Sequence, residues 1–173
     1  MTTCYSFPAL ADKNARVLIL GSMPGRASLD AGQYYAHPRN RFWPIIGDIT
    51  GTNAQAPYDE RVAALLDSGI ALWDVLQSCV RPGSLDSDIS DEIPNDFAKF
   101  FAAHPGITHV FFNGGKAERS FQRRVLPDLQ TRLEFTRLPS TSPAHAGMSY
   151  ADKLGAWRAI KDFYHEDTKS RRR

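Results

Sequence analysis

The run "YYAHPRNRFW", Tyr34 to Trp43, sets one neutral amide, Asn40, between Arg39 and Arg41 and among Tyr34, Tyr35, His37, Phe42 and Trp43. Arginines suit an anion and aromatic rings suit a flat group; neither a dry core nor a solvated loop favours both together. An amide in that company can orient a water and stabilise developing charge, although it is too weak a base to deprotonate water early. A second amide, Asn113 in "NGGK", offers a donor beside an acceptor, the pattern that reads a base edge with adjacent N–H and C=O groups. Each amide also has a plainer use, Asn40 in holding the Pro38 turn and Asn113 in capping a helix.

"GSMPG", Gly21 to Gly25, can aim main-chain N–H groups at an anion or at the polar edge of a base, or can simply end a strand. In "PSTSPAHAGMS" the hydroxyls, among them Ser140 and Ser142, can clamp a phosphate while His145 or Met148 wedges into a base stack. Such loops also occur as plain connections. Lys116 reads as a phosphate contact or a helix cap, because "NGGK" is too short for a phosphate-binding P-loop. The five histidines are scattered without metal-ligand spacing, so no metal is expected. A Ser142–His145 nucleophilic pair lacks the Gly-x-Ser-x-Gly elbow.

These residues need a scaffold that presents several loops together. Apolar runs at "RVLILGS", "IALWDV" and "THVFFNG", with a weaker one at "LEFTRLP", read as buried strands. Helical patterns alternate with them at "FWPIIGDI", "YDERVAALLDSG", "PNDFAKFFAAH", "GKAERSFQRRVL" and "SYADKLGAWRAIKDFYH", the last opened by a capping box of Ser149 with Asp152. The expectation is an α/β fold, three layers α/β/α around a mainly parallel four-stranded sheet. The Gly-, Pro- and Ser-rich stretches after the four strands, including "QSCVRPGSLDSDISDEIP" after the second, should then open on one edge and form one site.

The chain has 173 residues, 42% hydrophobic and 23% charged, which fits one domain over 1–165 with a basic tail, "KSRRR", within 166–173. A net charge of +2 proves nothing about nucleic acid. Cys4 and Cys79 form no disulfide framework, and neither a secretory leader nor an apolar span is evident, so a cytoplasmic location is expected.

Together "GSMPG", "AHPRNRFW", "NGG" and "PSTSP" resemble the uracil-DNA glycosylase superfamily, over nearly the whole chain from Val17 to Trp157. The most specific of the four, "AHPRNRFW", is similar to the stretch beside the catalytic loop in the mismatch-specific branch. That branch carries an Asn before the proline of its catalytic loop, where this chain has Met23, and Ser140 stands where other branches have His or Asn. What remains resembles the hypoxanthine-DNA glycosylase branch, as does "WDVLQSCVRPGSLDSDI". The iron–sulfur branches need four cysteines and are excluded.

The resemblance implies a glycosylase without cofactor that flips a deaminated base out of double- or single-stranded DNA and hydrolyses its N-glycosidic bond. Hypoxanthine is favoured, and a monomer, nucleoid-associated in a prokaryote, is expected. By that match Asn40 is catalytic, and Gly21, Ser22, Met23, Tyr35, Phe42 and Asn113 hold the base, with Tyr34 a third possible stacking ring. Lys116, Ser140, Ser142, His145 and Met148 contact DNA. No lysine falls in the catalytic stretch, which implies a monofunctional mechanism. The competing readings are a uracil or mismatch-specific glycosylase, a catalytically silent damaged-DNA binder and a flavodoxin-like nucleotide binder.

Overall fold

A computed structural model describes residues 2–163. Its elements are β1 (Thr3–Tyr5), β2 (Val17–Gly21), α1 (Arg26–Ala31), α2 (Phe42–Thr50), α3 (Tyr58–Asp67), β3 (Ile70–Asp74), β4 (Leu76–Val80), β5 (Ser90–Pro94), α4 (Phe97–Ala103), β6 (His109–Asn113), α5 (Gly115–Arg124), β7 (Glu134–Leu138) and α6 (Tyr150–Trp157). The central sheet is parallel, ordered β3-β2-β6-β7, and its strands are the four apolar runs.

Successive residues of a strand point to opposite faces, so a strand covered on both sides must be apolar throughout. β2 does this: Leu18 and Leu20 join one core cluster, Val17 and Ile19 the other. The first cluster takes Phe97 and Phe100 from α4 and Phe121 from α5; the second takes Phe42, Ile45 and Ile46 from α2, Leu65 from α3 and Trp157 from α6. Each fully buried aliphatic or Phe side chain contributes about 1.5–3 kcal/mol, which makes this three-layer packing the main source of rigidity. The capping expected at Ser149 is present, with its side chain accepting from Asp152 N, and Asp96 caps α4 the same way.

After β2 the chain crosses to β3 on one side, and the later β6 lies on the other side of β2. The connections therefore diverge between the ends of β2 and β6, where open α/β sheets bind ligands. Those ends are "GSMPG" and "NGGK".

Part of the loop reading was wrong. The stretch after β3 is not an open loop: β4 and β5 pair antiparallel within it, and β1 adds to β4 with Cys4 opposite Cys79, giving a second sheet ordered β1-β4-β5. Its Ser and Asp content suggested a loop, but one exposed face tolerates them while main-chain bonds make the strand. α1 likewise falls inside the stretch read as loop after β2. The basic tail lies outside the described residues. Among the described residues no helix is long and apolar enough to cross a membrane.

Candidate active site

A cavity of 1170 Å³ opens at the carboxyl edge of the parallel sheet, bordered by the last residue of every strand in it: Gly21, Asp74, Asn113 and Leu138. Over these ends fold "GSMPG", the segment holding Tyr35, His37 and Asn40, and the loop from Pro139 to Met148. Loops expected to converge do so.

Asn40 precedes α2, and its Oδ1 accepts from Phe42 N at 2.9 Å. The side chain thus serves the start of α2, while the Pro38 turn is closed by main chain, Asn40 N donating to His37 O; with the oxygen held there, the amide's orientation at the cavity is set. Tyr35 sits at φ 54, in the left-handed region that costs a side-chain-bearing residue about 1–2 kcal/mol. Its ring is held by stacking on Phe42, with centroids 4.1 Å apart and planes at 24°, and its hydroxyl accepts from Asn113 Nδ2 at 3.1 Å. Such strain needs support from its surroundings and is commonly found at functional sites.

The three expected aromatics separate by role. Tyr35 borders the cavity. Phe42 is fully buried beneath it, edge-on to Trp43 and Trp157, so the structure does not bring Phe42 to the cavity wall. Tyr34 also borders the cavity but is 3% exposed, its hydroxyl donating to Pro8 O and its carbonyl accepting from Trp43 Nε1.

Asn113 is committed to its neighbours. Nδ2 donates to Tyr35 and, at 2.9 Å, to Thr141 Oγ1, while Oδ1 accepts from Thr141 N at 3.0 Å. One lone pair of Oδ1 remains for a ligand. Thr141, 1% exposed, also accepts from Arg41 N through its carbonyl, and so ties the Asn113, Asn40 and Pro139–Met148 segments into one wall. The sequence treated it only as one hydroxyl among several. Gly114, at φ 91, allows this contact, since a Cβ there would lie 3.0 Å from Ser140 Cβ.

Ser22 Oγ donates to Asp86 at 2.7 Å, and Met23 packs into the first core cluster at 7% exposure while bordering the cavity. Ser140 Oγ accepts from Ser142 N, and Ser142 Oγ from Ala144 N, so both hydroxyls shape their own loop. His145 and Met148 stand exposed at its tip. Lys116 pairs with Glu92, which also accepts from Ser120 and Arg124; burial raises the Glu92 pKa, but these donors hold it below its usual value.

Three buried residues at this site were not singled out by the sequence. Arg81 donates to Pro24 O and so pins the "GSMPG" turn. Lys153 donates to His145 O at 2.7 Å, and burial, then Arg41, lowers its pKa. Asp74 is 3% exposed, and burial with the nearby Asp86 pushes its carboxyl pKa up to about 7 against the pull of Arg81. A carboxylate closing an otherwise apolar strand was the one clue to it.

A parallel α/β sheet with a cavity at its switch point, walled by an aromatic, two amides and a hydroxyl-rich loop, suits a flat ligand with a polar edge. The chain belongs to the uracil DNA glycosylase superfamily, whose model matches residues 7–161. Within it the chain resembles the hypoxanthine branch. It is 42% identical over 155 residues to a hypoxanthine DNA glycosylase of Methanosarcina acetivorans, covering 89% of this chain and 95% of that one. A hypoxanthine DNA glycosylase of Methanosarcina barkeri is 42% identical over 112 residues, 64% of this chain and 71% of that one. A solution NMR structure from Methanosarcina acetivorans, described provisionally as a uracil DNA glycosylase, superposes with a TM-score of 0.81 at 35% identity, covering 95% of this chain and 98% of that one.

Proposed function

We propose that this protein is a monofunctional DNA glycosylase that extrudes a deaminated base, hypoxanthine foremost, and hydrolyses its N-glycosidic bond to leave an abasic site. The observation that carries the reading is the convergence of Tyr35, Asn40 and the four strand ends on one cavity, in a chain with relatives of that name over most of its length.

Extrusion costs a few kcal/mol, less where pairing is weak, as for inosine opposite thymine. Tyr35 supplies the stacking face, where a base–aromatic contact contributes about 1–3 kcal/mol. The remaining lone pair of Asn113 Oδ1 accepts the N1–H of hypoxanthine; adenine has no hydrogen there, and a site built to pair such a group rejects the base that lacks it. Asn40 orients the water and stabilises charge as the bond breaks. The two cavity lysines support hydrolysis without a Schiff base, since Lys116 is held by Glu92 and Lys153 by a carbonyl.

Single-turnover release from duplexes carrying inosine or uracil opposite each normal base tests this. Release from inosine supports the reading; release from uracil alone moves the protein to another branch of the superfamily, and release from neither overturns the enzymatic assignment.

In this reading the wedge into the base stack is Met148, which is 44% exposed on the loop beside the cavity. Met148→Ala should slow release from inosine opposite cytosine by on the order of tenfold, equivalent to about 1.4 kcal/mol. The loss opposite thymine should be smaller, because the weaker pair needs less help. Equal losses in the two contexts would count against a wedge.

A further inference from the structure

Asp74 closes β3 directly opposite Gly21 of β2 and borders the cavity, yet its Oδ2 has no hydrogen-bond partner among the described residues. A Cβ on Gly21 would lie 2.6 Å from Asp74 Oδ1 and 2.8 Å from the Tyr35 hydroxyl. Glycine at the strand end thus lets a carboxyl and a phenol converge where any other residue would fill the space. Among the described residues no hydrogen bond holds the carboxyl group itself: Asn95 binds only the main-chain carbonyl of Asp74.

The charges facing Asp74 come from the segment after β4, Arg81 and Asp86, and the titratable hydroxyls from Tyr34 and Tyr35; β2 brings only Gly21 and Ser22. Arg81 donates to Pro24 O, and Asp86 accepts from Ser22. Burial, then Asp86, outweighs Arg81 and pushes the carboxyl pKa up to about 7. A base entering the cavity displaces water and drives it further toward the neutral acid.

We propose that Asp74, as the neutral acid, is a second catalytic residue that donates a hydrogen bond to O6 of the extruded hypoxanthine. The inference rests on the functional reading above. O6 is an acceptor in hypoxanthine, whereas adenine carries an amino donor at the same place, so the acid form pairs with one base and opposes the other. During cleavage the C1′–N9 bond breaks and its electron pair passes to the purine, whose charge spreads onto O6. Water oxygen bonds to C1′ and releases its proton to solvent, and the departing base takes up one proton. Asp74 begins and ends protonated, stabilising the leaving group by the bond it donates.

The experiment is single-turnover hypoxanthine release from an inosine duplex between pH 5 and 9, for wild type, Asp74→Asn and Asp74→Ala. The wild-type rate should fall about tenfold per pH unit above the carboxyl's pKa in the complex. Asp74→Asn, which keeps an N–H donor at every pH, should lose that limb and retain activity at pH 9. Asp74→Ala should be slower by roughly 100-fold below neutrality. Wild-type-like release by Asp74→Ala below neutrality, or an identical limb in wild type and Asp74→Asn, overturns the role of Asp74 while leaving the glycosylase reading intact. No release by wild type at any pH would instead refute that reading. Thermal midpoints give an independent check. A raised carboxyl pKa makes the fold lose stability as pH rises from about 4 through about 7, so Asp74→Asn should gain more over wild type at pH 8 than at pH 5.

Discussion

Asn40→Ala is expected to slow single-turnover base release by about 100- to 1000-fold while leaving affinity for the damaged duplex within a few-fold of wild type. The magnitude is that of removing one preorganised polar group aimed at developing charge, about 2.7–4 kcal/mol. Stability should fall too, because Asn40 Oδ1 accepts from Phe42 N at the start of α2. Losing such a bond costs about 0.5–1.5 kcal/mol. Asn40→Asp separates the two effects: a carboxylate oxygen still accepts from Phe42 N, but the N–H donors are gone and a charge has arrived. The midpoint should then recover while release stays slow. If Asn40→Ala turned over at the wild-type rate, Asn40 would hold the turn before α2 and nothing more.

Asn113→Ala should show the second large effect, on stability and turnover together. Three hydrogen bonds vanish, to the Tyr35 hydroxyl, Thr141 Oγ1 and Thr141 N, and the last donor sits on a residue 1% exposed. A buried donor left unpaired costs about 1–3 kcal/mol, on top of about 0.5–1.5 for each lost bond. A combined loss of about 2–4 kcal/mol is expected after partial relaxation, or roughly 5–15 °C in the thermal midpoint at this size. Without its hydroxyl anchor Tyr35 can leave the strained φ 54 conformation and misplace the stacking ring, so release should slow by about 10- to 100-fold. Asn113→Asp keeps the acceptor for Thr141 N but loses the donors and brings in a charge. It should recover part of the midpoint but little of the rate. An unchanged midpoint in Asn113→Ala would show that the Thr141 junction does not hold the wall together.

The parallel sheet could be read from the sequence because its strands are apolar on both faces, as in "RVLILGS" and "THVFFNG". The β4–β5 hairpin could not. Ser90–Pro94 reads "SDEIP", a polar string whose strand character comes from main-chain pairing with β4, not from its side chains. The same limit hid α1. The site followed a similar division. Asn40, Tyr35 and Asn113 stood out because their types are unusual for their surroundings, whereas Thr141, Lys153 and Arg81 gained meaning only from what they touch.

By itself the sequence determined which loops end the parallel strands, and therefore that "GSMPG", "NGGK" and "PSTSP" share one edge. Hydrophobic pattern and chain direction are local properties, and they suffice for that. Tertiary structure alone decided which atoms face the cavity. Asn113 reaches Tyr35 across 78 residues and Thr141 across 28, and these partners settle how much of its amide is left for a base. Phe42 went to the core and Tyr35 to the wall although both rings lie in one short stretch. Asp74 became a buried acid through packing against Gly21 and the Asp86 loop. Hydrogen bonding and desolvation depend on neighbours brought together by the sheet, and no spacing along the chain encodes them.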